Sequence, residues 1–282
     1  MIADQKDFIT PHITDSHTLD YPCFHSGFVC EYELPHWNPI HIGRFALDIS
    51  PTRHVVMLWI AALLCIVTTL LALRAHNRRT REGKAPSGFG NGLEALVLYL
   101  RNEVVLPNVG PHGNAYVPYL LTLFFFILYA NLLGLVPYGA TATGNISVTA
   151  TLAIITFIVI EISGMRALGL GYIKTIVFWP DDMSLAMKLP ITVVLTPIEI
   201  IGKFTKPFAL AIRLFANMVS GHVVLLALIS LIFTFGSWFL VPAPIVMALG
   251  ISLIEILVAF LQAFIFTLLS SVFIGLIREG AH

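Results

Sequence analysis

The sequence predicts an all-α polytopic membrane protein: about five crossings, an amphipathic interfacial helix, and two long, strongly tilted C-terminal helices forming a hairpin. Three observations carry that expectation. Of 282 residues, 57% are hydrophobic and 11% charged, with a mean hydropathy of +0.86, more than a soluble core of this size needs. The apolar residues fall in runs long enough to span about 30 Å of hydrocarbon. The bases cluster after some runs and are missing after others, as they do when loops alternate between the two sides of a membrane. Net charge is zero, from 16 basic and 16 acidic residues, so nothing points to a nucleic-acid surface. The chain carries no phosphate loop of the GxxxxGK(S/T) type, so nucleotide chemistry is expected elsewhere.

Residues 1–54 read as a polar tail on the outer side, ahead of a membrane domain over 55–282. Its seven acids (Asp4, Asp7, Asp15, Asp20, Glu31, Glu33, Asp48) outweigh its three bases (Lys6, Arg44, Arg53), and such a tail can be translocated. The first 20 residues hold no apolar stretch behind basic residues, so no cleavable signal peptide is expected. Six of the ten histidines lie here, at a spacing that matches no zinc pattern, and no metal site or cofactor is expected. Cys23 and Cys30 leave two readings open, a disulfide and two free thiols.

The first span, about 55–73, is uncharged, and Arg74, Arg78, Arg79, Arg81 and Lys84 follow it at once. By the positive-inside rule that end is cytoplasmic and the tail lies outside. Leu93, Leu96, Val97, Leu100 and Val104 then recur at helical spacing, with Glu94, Arg101 and Glu103 on other faces. That pattern predicts an amphipathic helix over about 92–105 lying on the interface. The second span, about 115–136, runs outward and ends in Asn131-Leu-Leu-Gly-Leu-Val-Pro137, an amide followed by a helix stop. The third, about 146–163, returns inward, is prolonged by Glu161, read as an interfacial residue with the lining of a water path as the lesser alternative, and has Arg166 and Lys174 beyond it.

The fourth span covers about 190–235. Its part after Pro207, from Phe208 to Phe235, is 28 residues, and the run Ile245 to Ile277 within the fifth span (about 243–277) is 33 residues. These correspond to about 42 Å and 50 Å of helix, far more than bilayer thickening absorbs, so both helices must cross obliquely. The turn between them has no base, and Arg278 returns to the cytoplasm.

Within the fourth span Arg213 stands in a long apolar run. An arginine at mid-membrane is disfavoured by about 2.5–3.5 kcal/mol on insertion scales, and its guanidinium stays charged, so it cannot itself shuttle protons. Either it pairs with a buried carboxylate as a structural tie, or it is a fixed charge put to use. Two antiparallel helices turning near residue 239 or 240 pair positions whose numbers total about 477 to 480. His222 and Glu255 meet that condition, as do Asn217 and Gln262. Arg213, Asn217 and Gly221 follow at i+4 steps on one face. Histidine is the side chain whose own charge change falls near neutral pH, so His222 with Glu255 makes a relay for protons; a polar clasp of the hairpin is the plainer reading. His222 lies outward of Arg213, whereas Glu199, Lys203 and Lys206 precede it on the cytoplasmic side. Two half-paths divided by an arginine let a proton reach the barrier from either side without crossing, and a mobile carboxylate on another subunit must carry it past.

The run Ala211-Ile-Arg213-Leu-Phe-Ala-Asn217-Met-Val-Ser-Gly221-His222, with Leu261-Gln262-Ala263-Phe264-Ile-Phe266 and Asn131-Leu-Leu-Gly-Leu-Val-Pro137, resembles the a subunit of F-type ATP synthases. The likeness covers the chain from the amphipathic helix to the C-terminus. It implies a stator of the membrane sector, not an enzyme on its own, in a bacterial inner membrane with the N-terminus periplasmic and the C-terminus cytoplasmic. Implied partners are a rotating c-ring, the b subunits of the peripheral stalk, through them the catalytic F1 head, and the lipid bilayer. The family's essential arginine falls on Arg213, its asparagine on Asn217 and its glutamine on Gln262. The outer path falls on His222, Glu255 and Asn131, the cytoplasmic path on Glu199. Many bacterial members carry the histidine and glutamate in exchanged positions, which leaves open which residue takes the proton first. The alternative is a secondary transporter or antiporter subunit with its own ion pathway, but no second copy of the arginine motif is present, and paired repeats are the usual mark of such folds.

Overall fold

The computed structural model describes residues 15–21, 30–37, 40–42, 45–48, 50–82, 88–136, 139–177, 185–235 and 241–279. Four short strands open the chain: β1 (Thr18–Tyr21), β2 (Cys30–Glu33), β3 (Ile40–Ile42) and β4 (Phe45–Leu47). They form two antiparallel pairs, with Thr18 opposite Glu33 and Ile40 opposite Leu47. The sequence reading gave this tail no structure of its own, because strands of three and four residues are too short for an alternation to stand out. Cys23 and the side chain of Cys30 lie outside the described residues, as does the turn over 236–240.

Helices α1 (Arg53–Glu82), α4 (Val117–Gly134), α5 (Ile146–Leu168), α6 (Leu185–Phe235) and α7 (Pro242–Glu279) supply five segments long and apolar enough to cross a membrane. Between α1 and α4 lie α2 (Phe89–Tyr99), a π-helical stretch (Leu100–Val105) and α3 (Leu106–Val109). With its backbone paired internally, each long helix can sit in hydrocarbon where a sheet edge could not. Pro242 opens α7, where a missing N–H costs nothing, and Arg278 lies in its last turn, where a cation suits the helix dipole.

Helix α6 is one element of 51 residues that runs through Pro190, Pro197 and Pro207. Pro207 is therefore no boundary, although the sequence reading began the uninterrupted run after it. A proline removes one helical hydrogen bond and bends the axis, but in lipid the neighbouring backbone groups have no partner other than the helix, so it resumes. At 51 residues α6 is about 77 Å long, well over twice the hydrocarbon thickness.

The structure divides into two compact units. The first comprises Met1–Thr69, Phe125–Val148 and Leu214–Gln262, the second Leu70–Phe124, Thr149–Arg213 and Ala263–His282. In the first, Ile127, Ala130, Leu214, Met218 and Ala259 form the apolar interior. The tail is tied to the start of α1, where the Arg53 backbone N–H donates to Ser16 O and His54 Nδ1 lies 2.8 Å from Asp15. In the second, Leu100, Val105, Val109, Leu120, Phe124, Phe266 and Ile274 are fully or almost fully buried. Here the backbone of α7 meets that of α3 at Gly275, where a Cβ would overlap the Asn108 carbonyl.

Candidate functional site

The first unit holds a polar cluster built from three elements. His222 on α6 and Glu255 on α7 are the pair that the antiparallel register singles out, and Nδ1 of the histidine lies 2.9 Å from Oε1 of the carboxylate. Nε2 of the same ring lies 2.9 Å from the Gly134 carbonyl at the end of α4 and 2.6 Å from Thr141 Oγ1. A carbonyl oxygen can only accept, so Nε2 carries a hydrogen. That leaves Nδ1 and Glu255 to share one proton, as imidazolium facing carboxylate or as imidazole facing carboxyl. Glu255 is only 4% exposed, and its second oxygen, Oε2, is buried without a hydrogen-bond partner among the described residues. A buried carboxylate oxygen left bare is costly, so this atom calls for water.

Gly221 makes room for the carboxylate. A Cβ at that position would come within 2.6 Å of Glu255 Oε1. The i+4 series from Arg213 thus ends on a residue whose lack of a side chain admits the acid. Asn131 is fully buried and engaged at both ends of its amide: Nδ2 donates to Ala259 O at 3.2 Å and Oδ1 accepts from Thr143 at 2.7 Å. Asn217 is half-buried and Gln262 is 6% exposed, but no hydrogen bond joins them among the described residues. The register fixes a level along two helices and not the direction in which a side chain leaves its axis, so it did not settle this second pair.

Arg213 belongs to the second unit and is its last residue on α6. It is exposed, and among the described residues it makes no hydrogen bond or ion pair. Its side chain borders an open groove of about 540 Å³ lined also by Ile201, Gly202, Lys206, Leu210 and Phe273. The structural tie to a buried carboxylate, one of the two readings of this residue, finds no carboxylate among the described residues that line this groove.

The second unit also carries a cluster in which Lys203 is central. Its ammonium donates to Tyr172 Oη at 3.2 Å and to Thr175 Oγ1 at 3.3 Å, and stands 4.6 Å from the centre of the Tyr172 ring. Glu161 Oε2 is 3.7 Å from it. Glu161, Glu199, Lys203, Lys206 and Thr175 line one pocket of about 110 Å³, with Phe273 among the apolar residues that close it. The sequence named Glu199 here and put Glu161 at an interface, with a place on a water path as its lesser reading. Lys203 with Glu161 could not be read from spacing, because they stand on helices joined by a long connection. Thr141 was equally hidden, since a threonine among small loop residues carries no pattern. Among the described residues, no group of three or more potential metal ligands comes together.

A model of the family described as ATP synthase A chain matches residues 55–275. The chain is 46% identical over 265 residues to an ATP synthase subunit a of Chloroherpeton thalassium, covering 94% of this chain and 74% of that one. It is 44% identical over 275 residues to an ATP synthase subunit a of Anaeromyxobacter dehalogenans, covering 95% and 69%. An ATP synthase subunit a 2 of Chlorobaculum tepidum is 44% identical over 278 residues, covering 97% and 74%. Likeness of this extent spans the arginine run, the His222 and Glu255 pair and every membrane helix, and the chain belongs to the ATP synthase A chain family.

Proposed function

We propose that this chain moves protons along two half-paths, an outer one through the His222 cluster and a cytoplasmic one through the Glu199 pocket, with Arg213 as the fixed charge dividing them. Family membership makes the chain a proton-translocating subunit of the membrane sector of ATP synthase. The chain's own part is to conduct, with ATP chemistry left to other subunits.

The observation that carries this reading is the exposed Arg213 with no partner among the described residues. A lone cation in an apolar helix costs several kcal/mol unless a counter-charge arrives from outside the chain. A carboxylate of a rotating c-ring is that counter-charge. At 4 Å and an effective dielectric near 20 the guanidinium would favour the ionised carboxylate by roughly 4 kcal/mol, so the ring carboxylate must release its proton before passing. The same charge repels a hydrated proton and blocks direct flow. In the outer path, water reaches Glu255 Oε2 and the proton is shared with His222, while Asn131 braces the wall behind it. Asn217, one turn on from Arg213 along α6, and Gln262 on α7 add amide groups to the path. The b subunits hold the chain against the turning ring and connect it to the catalytic head.

The orientation follows from the bases after α1: the N-terminal tail faces the periplasm and the C-terminus the cytoplasm of a bacterial inner membrane. A cysteine at Thr80 then labels from the cytoplasmic side only. The function is tested by Arg213→Ala in two assays, ATP synthesis by the whole enzyme and passive proton flux in vesicles stripped of the head. Synthesis is lost and a leak remains; near-normal synthesis would place the barrier elsewhere. A transporter with its own pathway would instead move ions when reconstituted without the ring.

A further inference from the structure

We infer that Glu161 is a second proton-carrying carboxylate of the pocket that Glu199 lines, kept in place and ready by Lys203. The inference rests on the reading of that pocket as the cytoplasmic half-path.

Glu199 and Lys203 stand four residues apart on α6, on one face, while Glu161 reaches the same pocket from α5. A pocket of about 110 Å³ has room for several waters, since one needs about 10–15 Å³ of such space. Lys203 is anchored by neutral partners, the hydroxyls of Tyr172 and Thr175 and the face of the Tyr172 ring. Its distance of 3.7 Å from Glu161 Oε2 exceeds that of a direct charge-assisted hydrogen bond, about 2.7–2.9 Å. The ammonium therefore attracts the carboxylate without capping it, and pocket water can reach the oxygens. Among the described residues the polar groups sharing the pocket with Glu161 are Glu199, Lys203 and Lys206 from α6 and Thr175 from the turn after α5, with Tyr172 behind Lys203; the α7 residues lining the pocket, Phe273, Leu276 and Ile277, bring no charge. In the step itself a hydronium in the pocket gives its proton to Glu161 Oε2, an O–H bond forms there, and it breaks as the proton passes to the next water or to Glu199. Lys203 keeps its charge throughout.

The test uses the whole ATP synthase in inverted vesicles, reading ATP-driven proton pumping against the pH bathing the cytoplasmic face. Glu161→Gln slows pumping several-fold and moves the pH profile, Lys203→Met moves the profile as well, and Glu161→Asp restores the original one. If Glu199→Gln impairs pumping but the Glu161→Gln profile superimposes on that of the unaltered enzyme, the inference is overturned and the half-path stands. If Glu199→Gln is itself without effect, the reading of the pocket falls. Should Glu161→Gln fail to assemble, Glu161→Cys is placed in a background with Cys23, Cys30 and Cys65 changed to serine. Silver ion added at the cytoplasmic face then reacts with it and stops pumping, and a thiol out of its reach refutes the inference.

Discussion

The two polar clusters use similar chemistry in opposite ways. Around His222 the groups touch directly, at 2.6 to 2.9 Å, and the acid is 4% exposed. Around Lys203 the nearest hydrogen bonds are 3.2 and 3.3 Å, the acid stands at 3.7 Å, and the space between opens into a pocket. A proton on a direct line depends on ångström geometry, because a hydrogen bond weakens steeply with length and angle. A proton in a wet pocket depends on charge and pH, because water re-forms the path after a small displacement. The first cluster should therefore break when its shape changes, the second when its charges do.

Arg213, proposed above as the fixed charge between the two half-paths, should give the largest effect. Arg213→Lys is expected to abolish coupled synthesis as Arg213→Ala does, since an ammonium lacks the planar fork and can lose its proton in a dry site. Synthesis by Arg213→Lys at more than a tenth of the normal rate would show that charge alone suffices.

The shape dependence of the first cluster is sharpened by Gly221→Ala, which puts a methyl on the Glu255 carboxylate. Proton flux should fall by roughly tenfold or more, in line with losing a well-placed proton-transfer group. Adding Glu255→Asp, one methylene shorter, should recover part of it. Flux in Gly221→Ala equal to the parent's would mean that the carboxylate has slack the geometry denies it.

A smaller loss is expected from exchanging the pair. His222→Glu with Glu255→His keeps one acid and one imidazole in place, and should conduct better than either single change, each of which leaves two like groups or an unmatched one. A double variant no better than the worse single would break the pairing.

The smallest effect on flux should come from Asn131→Leu. It leaves Thr143 and the Ala259 carbonyl without their buried partner, at about 1–3 kcal/mol of stability. Thermal inactivation of the purified complex should occur at lower temperature while flux per assembled enzyme changes little. A large loss of flux with unchanged stability would move Asn131 into the conducting line itself.

What the residues alone determined is whatever repeats along a helix. Apolar runs fixed the spans, because hydrocarbon demands internally paired backbone over its full thickness. The cost of burying a charge marked Arg213, and antiparallel counting brought His222 to Glu255, because two helices advance by the same rise per residue on either side of a turn. What only the tertiary structure decided is whatever depends on azimuth, on loops, or on helices distant in the chain. Counting placed Asn217 and Gln262 at one level but could not turn their side chains together. It could not foresee that Thr141 and the Gly134 carbonyl would close on Nε2 of His222, or that the Lys203 side chain would reach from α6 to Tyr172, Thr175 and Glu161. Nor could it tell that α6 continues through Pro207, since a proline's effect rests on what else its neighbours' carbonyls can bond, and in lipid the answer is the helix itself.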